Sequence, residues 1–250
     1  LSLLLKVLEG ETKDSVSTQR RLFNERALPD LSKNIKCGNS LIGSDFYKDK
    51  QLDLFNEEER IRINAFDWED EFKEVFRTKT STTEISEGTE VKEKGGFDAV
   101  IGNPPYVDIK GMPQSDVDYI FSKYPCTNNR INLFAVFVEM SLRLIGPIGT
   151  RFAMIIPAAL LTQDSYSALR AMIVKQLAIR SIVRLPNESF GDAPGKVKVD
   201  TVIVVVARSP NLSNEVEIIG YDGYDRIRDI EAATANMHRR ISQNTWTNSH

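Results

Sequence analysis

Two hydrophobic rhythms divide the chain. From residue 97 onward, short apolar runs alternate with stretches in which apolar side chains recur every three or four positions. "FDAVIG" (97–102), "TRFAMIIP" (150–157), "IRSIVRLP" (179–186) and "DTVIVVVA" (200–207) read as strands, the second ending at Pro157. "INLFAVFVEMSLRLI" (131–145) and residues 165–178 have the spacing of helices. Strands alternating with helices imply a doubly wound α/β sheet with a mostly parallel core. In such sheets ligands collect beyond the carboxyl ends of the strands.

The first 96 residues follow a looser pattern. Residues 1–9 carry Leu at helical spacing, and residues 12–30 are polar and unpatterned. Ile35 to Cys37 reads as a short strand halted by Gly38 and Asn39. From Gln51 to Phe76 the chain is acidic with spaced aromatics, Phe55, Phe66, Trp68, Phe72 and Phe76, which predicts a helical excursion docking an apolar stripe. Residues 77–96 have almost no apolar anchor, so a mobile loop is expected there.

A composition of 41% apolar and 27% charged residues describes an ordinary globular protein, and 250 residues suffice for one large or two small domains. Cys37 and Cys126 lie far apart without CxxC or Cys/His spacing, which argues against a disulfide framework or structural zinc and for a reducing, cytoplasmic setting. No metal site is assigned. His238 stands alone among polar neighbours and supports no catalytic assignment. "LSLLL", broken by Lys6 and Glu9, is too short for a membrane span and lacks the surroundings of a signal peptide. With a net charge of −3, any nucleic-acid contact must use a local basic surface. The chain opens at Leu1 inside an apolar-periodic stretch and closes on the polar "NTWTNSH", so a piece of something longer is expected.

The candidate chemistry lies in "FDAVIGNPPYVDIK", residues 97–110. Asn and Pro are common turn formers, and "NPPY" could simply stop a strand. Its setting, directly after an apolar strand within an α/β alternation, is also where a site is expected. An exocyclic amine on an aromatic ring, or an amide nitrogen, is a poor nucleophile because its lone pair is delocalised. Two acceptors aimed at its hydrogens draw the nitrogen towards tetrahedral geometry and expose the lone pair. Asn103 offers a side-chain carbonyl, and Pro104 a backbone carbonyl whose direction consecutive prolines restrict. Tyr106 offers a flat ring on which a planar group can stack.

These residues resemble motif IV of the S-adenosylmethionine-dependent amino-methyltransferases, particularly the N6-adenine DNA methyltransferases. "NIKCGNSLIG" resembles the preceding motif, "INAFDWEDEFKEVF" a segment of type IIG restriction-modification enzymes, and "NLFAVFVEMSLRLIGPIGTRFAMIIPAALLT" the following helix and strand. "SIVRLPNESFGDAPGKVKVDTVIVVVARS" is similar to the final motifs of the TaqI-like enzymes. The resemblance implies a Rossmann-like α/β methyltransferase fold, mostly parallel with an antiparallel last strand and with the N-terminal strands missing. Residues 1–209 would form the partial catalytic domain, and 210–250 the start of a connection to a missing target-recognition domain. Asn103 and Pro104 would accept the target adenine's amino hydrogens, Pro105 would stiffen the turn, and Tyr106 would stack on the flipped base. Phe190 falls where the family places a second stacking aromatic, although a core position would also suit a Phe. Asn39, standing where the family usually carries an acidic residue, and Asn103 are expected at the cofactor. Lys196 and Lys198 could contact DNA phosphate or simply form a solvated basic loop. Trp68 is expected to be a packing anchor.

No glycine of the chain sits in a G-x-G pattern after a strand, so the family's glycine-rich cofactor turn is expected upstream of Leu1. The strand at Ile35 to Cys37 would then lack a pairing neighbour, and this chain alone is expected to bind S-adenosylmethionine weakly and to be inactive. The implied function is methyl transfer from S-adenosylmethionine to the N6 amine of a flipped adenine in double-stranded DNA, within a restriction-modification protein. Two alternatives share the residue pattern: N-methylation of a protein glutamine or an RNA base, and a catalytically silent DNA-binding remnant.

Overall fold

A computed structural model describes residues 31, 33–48, 57–81, 91–93, 95–127, 132–147, 149–186, 199–209, 213–221, 227 and 232–247. The chain divides into a unit of residues 1–38 and a unit of residues 39–250. In the first, Asn34 and Ile35 donate their backbone N–H groups to the Leu31 carbonyl, closing a turn. The strand expected at Ile35 to Cys37 does not form. Backbone pairing comes two residues after Cys37, in the second unit, where Asn39 bridges Ala65 and donates to the Asn64 carbonyl at 2.7 Å. A strand needs a partner with matching register, and Ile35 is left 58% exposed.

In the second unit, helix α1 (Glu57–Ile63) is followed by the single turns α2 (Trp68–Glu71) and α3 (Lys73–Phe76). The expected helical excursion with an apolar stripe is present from Glu57 to Phe76, and Phe55 lies outside the described residues. Strands β1 (Lys79–Ser81) and β2 (Val91–Glu93) pair antiparallel where the polar composition reads as a loop. Six strands then build one sheet: β3 (Ala99–Gly102), β4 (Arg151–Pro157), β5 (Ala178–Arg184), β6 (Thr201–Ala207), β7 (Glu215–Gly220) and β8 (Met237–Ser242). Their order is β3-β4-β6-β5-β7-β8. β3 and β4 are parallel, as are β5 and β7, while β6 runs against both β4 and β5, and β8 against β7. Four of the six strands therefore share one direction, and β6 is the expected antiparallel strand inserted between its neighbours. The stretch 210–250, read as a connection, instead extends this sheet by two strands.

Helices α4 (Gln114–Lys123), α5 (Leu133–Leu144), the single turn α6 (Ala159–Thr162), α7 (Ser167–Gln176) and the single turn α8 (Asn244–Thr247) are the remaining α-helical elements of the described residues. α5 starts where Asn132 caps it, its side-chain oxygen accepting the Phe134 N–H. Its core residues Phe134, Val136, Val138, Met140 and Leu142 share one cluster with Phe152, Met154 and Ile156 of β4 and Val202, Val204 and Val206 of β6. Two buried polar side chains are matched by partners. Glu139 accepts from Arg143 and from the Cys126 N–H at 3.1 Å, and burial raises its pKa despite those bonds. Gln243, fully buried, donates to the Val174 and Leu177 carbonyls and accepts the Ile179 N–H, clamping the end of α7 and the start of β5 to the chain after β8. No helix of the described residues is long and apolar enough to cross a membrane.

Candidate active site

The approach to β3 is locked from both sides. Phe97 donates its N–H to the Leu144 carbonyl and accepts from Gly146, joining the start of the strand to the end of α5. Gly96 makes the approach possible, since a Cβ there would stand 2.5 Å from the Gly146 nitrogen. On the other side, the aromatic stripe docks on the Phe97 ring: Trp68, Phe72 and Phe76 meet it edge-on, with centroids 5.9, 5.3 and 5.4 Å away. Trp68 also stacks on Phe72 and donates its indole N–H to the Ser40 carbonyl at 3.1 Å, which makes it a packing anchor, as expected.

β3 ends at Gly102 because the next two residues but one are prolines, which have no N–H to continue the ladder. β4 runs three residues further, and the Ile155 carbonyl beyond the end of β3 accepts the Tyr106 hydroxyl at 2.9 Å. The Tyr106 ring is half-buried and meets Phe134 edge-on at 6.4 Å, and Phe134 in turn contacts Tyr166 at 5.1 Å. Burial pushes the Tyr106 pKa up to about 12, so the phenol stays neutral and donates. The next residues are also tied: the Val107 carbonyl accepts from Leu133 at 2.8 Å, Asp108 bridges Asn132, and the Asp108 carboxylate accepts the Lys110 N–H. Within this fixed loop Pro104 is buried, while Asn103 and Pro105 are exposed. The loop thus leaves Asn103 exposed on a segment fastened at three consecutive residues, Tyr106 through its hydroxyl and Val107 and Asp108 through the backbone.

Asn39 lies in a second fastened loop. Its side-chain oxygen accepts the Leu41 N–H at 3.2 Å. Gly43 donates to the Tyr119 hydroxyl, Ser44 donates to Asp67, and Asp45 joins Tyr119 and Lys123. Burial alone would raise the Asp45 pKa, but the hydrogen bonds from Lys123 and Tyr119 outweigh it and hold the carboxyl below its usual range. Phe190, Lys196 and Lys198 lie outside the described residues. Reasoning from sequence missed Phe134, Tyr166 and the Ile155 carbonyl as supports of the motif. It also placed Asn132 inside the expected helix 131–145, where the structure makes it the cap; the signal was a side-chain oxygen standing immediately before an apolar-periodic run.

The fold and the loop define an α/β domain that presents a rigid polar turn at the carboxyl edge of its sheet. The chain belongs to the Eco57I restriction-modification methylase family, whose profile matches residues 1–190. It is 28% identical over 192 residues to the type II restriction enzyme and methyltransferase RM.Eco57I of Escherichia coli, covering 76% of this chain and 15% of that protein. It is 28% identical over 109 residues to the adenine-specific methyltransferase BrxX, also of Escherichia coli, covering 44% of this chain and 9% of the relative. Among solved structures it overlays the type IIG restriction endonuclease BpuSI with a TM-score of 0.43 at 20% identity, over 60% of this chain and 20% of that one. The chain therefore spans a small fraction of the relatives it matches.

Proposed function

We propose that this chain carries the substrate-side catalytic residues of a DNA methyltransferase that modifies the N6 amine of adenine within a restriction-modification system. The observation that carries this reading is the exposed Asn103 side chain on a loop fastened at Tyr106, Val107 and Asp108. Family membership and the adenine-specific relative support it. In this reading the Asn103 side-chain carbonyl accepts one amine hydrogen of a flipped adenine and the Pro104 carbonyl accepts the other. Withdrawing both hydrogens from the ring plane concentrates the lone pair on nitrogen. Tyr106 takes one face of the base, Phe190 the other, and Pro105 keeps the turn from relaxing. Lys196 and Lys198 hold phosphate.

The described residues fit S-adenosylmethionine in part. Asn39 already accepts the Leu41 N–H, which leaves its amide hydrogens and a second lone pair for a cofactor ring. When bound, the cofactor supplies an electrophilic sulfonium methyl group. A cytoplasmic location suits such an enzyme. The test uses the full protein containing this chain, labelled S-adenosylmethionine, and three acceptors: unmodified duplex DNA, RNA and a glutamine-bearing protein. Label on N6 of adenine in duplex DNA is the expected result; label confined to RNA or protein, or none at all, overturns the reading.

A further inference from the structure

A cleft of about 650 Å³ opens beside the motif loop. Its walls come from the 3₁₀ turn Ile109–Gly111, from one side of α4 between Gln114 and Phe121, and from Ser165 in the 3₁₀ turn Asp164–Tyr166 that follows α6. The first wall follows the carboxyl end of β3 and the last follows the carboxyl end of β4, so the cleft belongs to the same end of the sheet as Asn103. Ile109, Met112, Val117 and Phe121 make its lining largely apolar. Lys110 and Gln114, both exposed, and half-buried Ser165 add one cation and two hydrogen-bonding groups. The wall is also fixed in place. Asp108 caps the Ile109–Gly111 turn, Met112 donates back to the Ile109 carbonyl, and Asp116 in α4 is held by a bidentate bond from Arg62 at 2.9 and 3.3 Å.

An apolar lining with a single cation beside it suits a planar ring linked to an anion, which is the chemistry of a nucleotide. Of the acidic groups nearby, Asp116 is paired with Arg62 and Asp118 with the Gln114 amide, while Asp108 accepts the Lys110 N–H and Asp164, beside Ser165, is exposed. Lys110 follows Tyr106 by four residues. We infer that this cleft takes the nucleotide next to the target adenine on the same strand, with its base against Ile109, Met112 and Phe121 and its phosphate on Lys110. The assignment rests on the DNA methyltransferase reading given above, and it adds a contact to a neighbour of the base that reacts. Its consequence is that the cleft, outside the catalytic turn, sets how tightly the strand is held as the adenine leaves the stack.

The test uses the full protein and unmodified duplex DNA in two measurements. Lys110→Ala should weaken duplex binding and lower the slope of log affinity against log salt by about 1, the loss of one phosphate contact. Ser165→Phe, which fills the cleft from a half-buried position, should raise the KM for duplex DNA about tenfold while the thermal midpoint of the protein stays at the parent value. An unchanged salt slope for Lys110→Ala, or an unchanged KM for Ser165→Phe, overturns the assignment. Failure of the underlying reading looks different: the parent protein itself then transfers no methyl group to DNA, whatever these variants do to binding.

Discussion

The two faces of the sheet carry equally apolar rows and are packed very differently. On one face Phe152, Met154 and Ile156 of β4 stand opposite Val206, Val204 and Val202 of β6, each at most 5% exposed and joined to the helical core. On the other face Ala153 and Ile155 stand opposite Val205 and Ile203, all only half-buried, and the row continues to Ile101 of β3, which is 82% exposed. A strand with apolar residues at every position is the signature of a sheet covered on both sides. Among the described residues of this unit, the core cluster covers one side. Alternation along a strand tells which residues share a face; it cannot tell which face receives a layer, because both rows of "TVIVVVA" are apolar.

The largest effect belongs to Phe134, which is 1% exposed and lies between Tyr106 and Tyr166 on the covered side. Phe134→Ala should cost about 3–5 kcal/mol in urea unfolding. It should also loosen the motif by removing the ring under Tyr106. The sharpest form of the comparison uses adjacent residues of β4. Ile156→Ala, at a site with no exposure, should cost about 2–5 kcal/mol, whereas Ile155→Ala on the opposite face should cost about 1. Equal losses for the two variants would erase the distinction between the faces.

Gln243→Leu comes next. It strips two carbonyls and one N–H of their partners at the junction of α7, β5 and the segment after β8, and should cost about 2–3 kcal/mol. A near-neutral result would mean that water replaces the amide there. The smallest effect is a pH dependence. Asp45 has its pKa lowered in the folded state, so its contribution is present above the ordinary carboxylate pKa and is lost as pH falls through the folded value. Asp45→Asn should therefore flatten the acid limb of stability slightly, because this carboxylate is partly exposed and screened.

Much of the fold was legible in residues 97–207. The four strands expected there begin and end within two residues of β3, β4, β5 and β6, and the two helices contain α5 and α7. Long apolar runs bounded by Gly and Pro leave few alternatives. Several places were not legible, and no element was expected at α4 or at β7. Ile35 to Cys37 has strand composition, but the nearest pairing falls at Asn39. β1 and β2 are polar and short, so no periodicity marks them. "MHRRIS" forms β8 with His238, Arg239 and Arg240 in it, because an edge strand against β7 can place charges outward, and Arg240 pairs with Glu217 at 2.7 Å. For the site, the motif itself was readable as local chemistry. What fastens it was not, because the Ile155 carbonyl and the rings of Phe134 and Tyr166 reach Tyr106 and its neighbour only through the fold.

The most direct measurement is labelled-methyl transfer to unmodified duplex DNA by the full protein carrying Asn103→Ala, read beside its thermal unfolding. Because Asn103 is exposed while the loop is held at Tyr106, Val107 and Asp108, transfer should fall by a factor of about 100 to 1,000 with the unfolding midpoint unchanged. Transfer at the parent rate would contradict the account, as would a loss that merely tracks unfolding.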